Sequence, residues 1–446
     1  LNSAASMGYP FCMKAKSGGK KDFMDFEAGT IIDDDFRREL DNRTYHALNG
    51  KRIESYWIDW KKDARVQNEK VLKGKQRAFV IGPASHAFLC KQYCGDFIAA
   101  LMNSHNAGMY SLGIDPTGPE WMNLARRLFP WGGECVRAGD QSQFDGNVFA
   151  EFAMGLCECV NEFYDDEIEN KMLRCVLFHE MINCVHIFFN SRFGVWTSYL
   201  CTHGNPSGNV FTTILNSFVN ACYMRMAYID LAAMNNADHR LISMEGYSRN
   251  VTEAYFGDDD IGESSPEVSD FFSMDNIQES FATYGLKYTT NMKDDRMVKF
   301  ETRDTAKYLK RRFVKDEEYP NVIMHAPMEE GPINELLNWY KRCNDPEEAL
   351  VSNIDDFCRF YSAFGEVKYN IESNKVKQAL ASHGVNYQIK HYIDYRFETM
   401  VKHGLLTKDA MEIEFSSPSP DVRDYEERID YLDSWTYVEI EEDSEK

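Results

Sequence analysis

Residues 254–262, AYFGDDDIG, constrain the fold more than any other stretch of the chain. Tyr255 and Phe256 before the three aspartates and Ile261 after them are strand formers, and Gly257 supplies the backbone freedom of a tight turn. The spacing predicts a hairpin with carboxylates at its tip. Taken alone, a G-D-D is equally well explained by a solvated acidic turn, because short motifs recur by chance. Asp260 opens the returning strand, where its charge is expected to be solvated or paired locally with a base.

A second carboxylate pair upstream changes the balance. In residues 139–146, GDQSQFDG, Asp140 ends a predicted strand over 134–140. Asp145 opens a helix predicted over 147–164 by the spacing of Phe149, Phe152, Leu156, Val160 and Phe163. If that strand lies beside the hairpin, Asp140 and Asp258 come together. Clustered carboxylates raise one another's pKa unless cations offset them, and hard oxygen ligands favour Mg²⁺ or Mn²⁺. Two such ions about 4 Å apart can activate an attacking hydroxyl and stabilise a leaving pyrophosphate. The chemistry predicted is nucleotidyl transfer.

The rest of the chain reads as α+β without internal repeats. Residues 184–189 and 195–200, separated by NSRFG, predict a hairpin. A long apolar helix over 209–231 is entered through GNPSG at 204–208, and the chain is mostly helical from Ile333, with breaks near Asp345-Pro346, Gly365, Gly384 and His403-Gly404. Thr212 and Asn216 share a helix face that, with Ser207, could reach Asp145 and bind a ribose 2′-hydroxyl. Capping and buried polar satisfaction explain any one of these residues alone. Lys73, Lys75 and Arg77 alternate, so an extended backbone puts three cations on one face, suited to a triphosphate or to a solvated strand edge.

Composition sets the bounds. The 446 residues, 43% of them hydrophobic, can build two or three lobes. A net charge of −22 argues against a nucleic-acid partner when taken as a sum. Beyond residue 407, however, fourteen acids face four bases, so ten of those charges lie in the tail. Elsewhere lysines and arginines cluster, at 14–21, 61–77 and 307–315. The twelve cysteines lie mostly in apolar runs without a C-x-x-C pair, as expected of reduced thiols in an intracellular compartment. Cys157, Cys159, Cys175 and Cys184 match no common zinc spacing, and His179-Glu180 lacks the second histidine of a zinc protease. No apolar run reaches the roughly 18 residues of a membrane span.

In order and spacing these motifs resemble the RNA-dependent RNA polymerases of positive-strand RNA viruses, specifically the picornavirus-like group, over roughly residues 1 to 320. Asp140 and Asp145 fit D-x₄-D, Gly257-Asp258-Asp259 fits G-D-D with Phe256 where tyrosine is common, and Ser207-Gly208, Thr212 and Asn216 fit S-G-x₃-T-x₃-N. The resemblance implies a right-hand polymerase. Its fingers would occupy 1–97 with an insertion at 183–203, its antiparallel, RRM-like palm 98–182 and 204–317, and its helical thumb and acidic tail 318–446. The chain begins almost at the loop through which template enters, so an N-terminal part of the fingers is expected to be missing, as in a fragment of a polyprotein product.

By the same resemblance Asp140 and Asp258 are the principal ligands of two Mg²⁺ ions, with Mn²⁺ as substitute, and Asp259 is a peripheral ligand. Lys293 is the general acid for pyrophosphate, while Lys73, Lys75 and Arg77 meet the triphosphate. Ser6, Gly8, Tyr9 and Pro10 would line the template path, and Lys310, Arg311 and Arg312 would grip the primer. Implied partners are template and product RNA, NTPs, a small protein primer and other viral replication proteins, in replication complexes of the host cytoplasm without direct membrane insertion. A reverse transcriptase would share the carboxylates but usually carries a bulky residue where this chain has Asp145-Gly146. An acidic Ca²⁺-binding or scaffold protein would make the motif series a coincidence, and no EF-hand loop is present.

Overall fold

The structure is a computed structural model that describes residues 3, 5–16, 19–61, 71–72, 78–105, 107–290, 298–339 and 345–406. Lys73, Lys75, Arg77, Lys293 and the acidic tail lie outside the described residues. Twelve strands lie among the described residues, the longest of them rich in β-branched and aromatic residues. They are β1 (Met24–Asp25), β2 (Thr30–Ile31), β3 (Tyr56–Lys61), β4 (Ala78–Ile81), β5 (Val136–Gln141), β6 (Cys184–Asn190), β7 (Val195–Cys201), β8 (Ala254–Phe256), β9 (Asp259–Glu263), β10 (Tyr288–Thr290), β11 (Val314–Lys315) and β12 (Met324–His325). Among these residues the chain forms two compact units, one from the segments up to Met102 and Gln143–Cys222, the other from Asn103–Ser142 and Tyr223 onward.

The first unit holds a four-stranded sheet of order β4-β3-β6-β7. Strand β6 runs parallel to β3 and antiparallel to β7, the latter pair forming the hairpin its sequence predicts. A buried ion pair ties helix Asp34–Leu48 to helix Ile168–Ile182: Arg43 Nη1 lies 2.5 Å from Glu180 Oε2. Glu180 Oε1 also accepts from the Ile53 N–H at 2.7 Å, and Arg43 donates to Ser55 and Ser85. With its remaining lone pairs satisfied in this way, Glu180 is a structural anchor, and removing one partner of such a buried pair costs about 3–5 kcal/mol. Every described cysteine is a free thiol, and Cys157 Sγ approaches Cys175 Sγ to 3.7 Å.

The second unit is built on the sheet β10-β5-β9-β8, antiparallel throughout. In order of appearance these strands stand fourth, first, third, second, the arrangement of RRM-like and ferredoxin-like sheets. Helix Met274–Thr283 packs on β10 and β5. One row of the sheet, with Val136, Ala138 and Ile261, is covered by Trp121, Leu124 and Leu128 of helix Pro119–Leu128 and by Tyr308 and Phe313. The Trp121 and Phe313 rings stack at 4.5 Å. Farther along, helices Glu330–Glu335, Pro346–Ser362, Glu366–Ser382 and Tyr392–Lys402 enclose a core of Ile333, Ile354, Phe357, Tyr361, Tyr369 and Tyr395. Asp345 caps the second of these helices, its Oδ1 accepting from the Glu347 and Glu348 N–H groups at 3.0 and 3.1 Å, with Pro346 preset for the first turn. Among the described residues no helix is long and apolar enough to cross a membrane.

Candidate active site

The sheet of the second unit delivers the acids. Strands β8 and β9 are joined by Gly257 and Asp258, with Gly257 at φ +65° as the first central residue of a two-residue hairpin loop. Strand β5 lies beside β9 in a register that pairs Asp140 with Asp259 and Gly139 with Asp260. Residues directly opposite on neighbouring strands share a face, so Asp140 and Asp259 extend the row of Val136, Ala138 and Ile261 past the edge of the core. Asp258 stands in the bend beside them, exposed, whereas Asp140 and Asp259 are half-buried. The hairpin and the upstream strand therefore meet as their sequences predict, with Asp259 rather than Asp258 level with Asp140.

The third aspartate departs from expectation. Asp260 is neither solvated nor ion-paired: it is 2% exposed, on the opposite face of the sheet, and its Oδ2 accepts from Tyr288 Oη at 3.0 Å. Burial pushes its pKa up to about 7, against the pull of the Arg137 charge and the Tyr288 hydrogen bond and with a further push from the Asp259 and Asp140 charges. Two glycines clear this face. A Cβ on Gly139 would lie 2.0 Å from the Tyr288 ring, and one on Gly262 would lie 2.0 Å from the Thr252 carbonyl oxygen and 2.7 Å from Arg137.

Do these residues fit divalent ions? Among the described residues no group of three His, Cys, Asp or Glu side chains forms a metal cage. Mg²⁺ rarely uses one in phosphoryl-transfer sites; it is held by one or two carboxylates together with substrate phosphates and water. Asp140 and Asp259 on one face, with Asp258 in the adjoining bend, form such an open oxygen donor set.

The residues expected to read the sugar lie in the first unit, and the structure sorts them. Asn216 Nδ2 donates to Asp145 Oδ1 at 2.8 Å, so this pair meets. Ser207 Oγ instead accepts from the Val80 N–H at 3.2 Å, and the Thr212 hydroxyl donates to the Ser207 and Asn209 carbonyls at 3.0 Å, closing the helix start. Asn205, which sequence reasoning did not single out, donates from Nδ2 to Asn216 Oδ1 at 2.7 Å. A loop asparagine beside a proline reads as turn chemistry, and no spacing rule marked it.

Among the residues expected to bind RNA, Gly8 is packed backbone, since a Cβ there would lie 2.2 Å from the Gly82 carbonyl oxygen. Ser6 Oγ accepts from the Gly8 N–H at 3.1 Å, while Tyr9 and Pro10 are exposed. Leu309 and Lys310, both at positive φ, form a two-residue turn closed by reciprocal 2.9 Å hydrogen bonds between Tyr308 and Arg311. Lys310 and Arg312 are exposed, but Arg311 turns inward, donating to the Ala326 carbonyl at 2.8 Å over the Phe360 ring.

An antiparallel sheet of order four-one-three-two, with an aspartate on its first strand beside an acidic bend between its second and third, defines the palm-sheet class of polymerase fold. The Sicinivirus 3Dpol RNA-dependent RNA polymerase has the same fold, with a TM-score of 0.70 over 91% of this chain and 78% of that one at 18% identity. The family described as viral RNA-dependent RNA polymerase matches residues 1–382, and the chain belongs to it. The chain is 31% identical to the replicase polyprotein of Acute bee paralysis virus (strain Rothamsted) over 85% of its length, and 29% identical to that of Drosophila C virus (strain EB) over 85%. It spans only 20% and 22% of those polyproteins.

Proposed function

We propose that this chain extends an RNA primer on an RNA template, joining NTPs with release of pyrophosphate, to copy the genome of a positive-strand virus. The observation that carries the reading is the register of Asp140 with Asp259 beside the Gly257-Asp258 bend. Asp140, Asp258 and Asp259 hold two Mg²⁺ ions, which when bound supply charge stabilisation to the attacking and leaving oxygens. Asp140 and Asp258 are the principal ligands and Asp259 the peripheral one. Lys293 gives a proton to the departing pyrophosphate, Lys73, Lys75 and Arg77 meet the triphosphate, and Asp145 with Asn216 reads the ribose 2′-hydroxyl. Tyr9, Lys310 and Arg312 present exposed groups to RNA.

Fingers at 1–97 and 183–203, palm at 98–182 and 204–317 and thumb from 318 are the proposed divisions. Because the relatives are replicase polyproteins that the chain matches over only part of their length, work beside other viral replication proteins in a host cytoplasmic complex, with a small protein primer, is part of the same reading. Extension of a primed RNA template with rNTPs or dNTPs, with and without Mg²⁺, tests it. Mg²⁺-dependent incorporation that favours rNTPs is expected. Preference for dNTPs would make the chain a reverse transcriptase, and no incorporation with the fold intact would remove the enzymatic reading.

A further inference from the structure

A polar path in the first unit runs from Asp145 to the start of helix Thr212–Met234 through two asparagines outside the family motif. Asn216 Nδ2 donates to Asp145 Oδ1 at 2.8 Å, Asn205 Nδ2 donates to Asn216 Oδ1 at 2.7 Å, and Asn209 Nδ2 donates to Asn205 Oδ1. The path ends where Asn209 Oδ1 accepts from the Phe211 N–H at 2.6 Å. Asn216 and Asn205 are 7% and 5% exposed, so water does not compete for their amides.

The order of donors and acceptors along this path is forced. An ionised carboxylate only accepts, so Asn216 must turn its NH₂ to Asp145, which leaves its oxygen to Asn205. Asn205 must then offer its own NH₂, which leaves its oxygen to Asn209. Asn209 must do the same, and its oxygen is left for a backbone donor, which Phe211 provides. Reversing any one amide sets oxygen against oxygen or NH₂ against NH₂ in a buried site, and a chain of such bonds is strengthened by mutual polarisation. The backbone holds the ends in place: the Asn205 N–H donates to the Asp145 carbonyl at 2.7 Å, and a Cβ on Gly204, at φ +88°, would lie 3.0 Å from that oxygen.

We infer that Asn205 and Asn209 are positioning residues for sugar selection, a directional amide relay that fixes the orientation of Asn216 and hence the rotamer in which Asp145 meets a ribose 2′-hydroxyl. The inference rests on the proposed sugar reading by Asp145 and Asn216. Neither relay residue touches the nucleotide. Each acts by allowing Asn216 only one amide orientation.

The test disturbs the polarity while keeping the size. In Asn205→Asp both neighbours of Asn216 only accept, so its one NH₂ is contested by two carboxylates and its single orientation toward Asp145 is lost. Asn209→Asp, at the half-exposed end, sets the same competition for the Asn205 NH₂ one step farther away. The readout is the ratio of kcat/KM for rNTP to that for dNTP on a primed RNA template, beside thermal melts and with Asn216→Ala as reference. Asn205→Asp is expected to lower the ratio about tenfold or more, the effect of one hydrogen bond to a charged group, with dNTP use little changed. Asn209→Asp is expected to lower it less. If Asn205→Asp melts early, the double variant Asn205→Asp with Asp145→Asn restores a complete relay in the opposite direction; its melting temperature is expected to recover while the ratio stays low. A full ratio in Asn205→Asp or in that double variant, with Asn216→Ala still defective, would overturn the relay and leave the sugar reading standing. A full ratio in Asn216→Ala as well would overturn both.

Discussion

Strand alternation and one bend send three consecutive aspartates into three environments: Asp258 outward in the turn, Asp259 level with Asp140, and Asp260 beneath the sheet against Tyr288. Asp258→Asn should nearly abolish Mg²⁺-supported extension. Asp259→Asn should keep partial activity that improves with Mn²⁺, whose geometric demands are looser. Primer extension across both metals decides the ranking, and an Asp259 variant as inactive as the Asp258 variant in both would give Asp259 the principal role that its register with Asp140 favours. Asp260→Asn should stay near wild type, because an amide replaces a carboxyl whose burial already favours the neutral form. Lys293→Ala should slow the chemical step by roughly 10²–10⁴-fold in single-turnover assays, with nucleotide affinity changing less. The hairpin itself was legible, since Gly257 and its flanking strand formers are local signals. The burial of Asp260 was not, because Tyr288 and Arg137, which make its surroundings, come from other strands. Nor was the register, since slipping a strand by one residue exchanges its faces without altering any motif.

At the scale of elements, the palm depends on an absence. Gly139→Ala would drive a methyl into the Tyr288 ring and should destabilise the fold by about 3 kcal/mol, the upper range for overpacking. The same substitution should cost clearly less in a Tyr288→Leu background; equal costs in the two backgrounds, read by denaturant melts, would deny the contact. Asp316 joins strand β11 to helix Tyr392–Lys402 by accepting from Arg396 and by bonding His325 at 2.7 Å. Burial pushes its pKa up, but hydrogen bonds from Arg396, the Tyr319 N–H and His325 outweigh that and hold the carboxyl well below the usual range. A depressed pKa means stability that is present above the ordinary aspartate value near ~4 and lost as pH falls through it toward the folded value. Asp316→Asn should therefore cost about 3 kcal/mol at pH 7, with the gap to wild type closing in acid. A gap that is constant down to pH 2 would contradict this. The helical region was readable because Asp345-Pro346, Gly365 and Gly384 punctuate it at the observed breaks. Helices Asp34–Leu48 and Ala84–Asn103 carry no motif that marked them, and the parallel pairing of β3 with β6 joins segments far apart in the chain, so neither was read from the sequence.

Over the whole molecule, the family was legible from the order of motifs while three-dimensional placement was only partly so. Ten of the 22 excess negative charges lie beyond residue 407, so the acidic sum does not weigh against the RNA partner proposed from local chemistry. The acids proposed to hold the ions lie in the second unit, and the amide–carboxylate set proposed to recognise ribose lies in the first. The central claim is that Asp140 and the acidic bend form the metal-holding centre of templated RNA synthesis. The most direct measurement is single-turnover extension of a primed RNA template by wild type and by Asp140→Asn across a Mg²⁺ titration, with melting temperatures matched. Saturable, Mg²⁺-dependent incorporation by wild type and near-complete loss in the variant at every Mg²⁺ concentration is the predicted result. An Asp140→Asn protein that extends the primer at the wild-type rate would contradict the account.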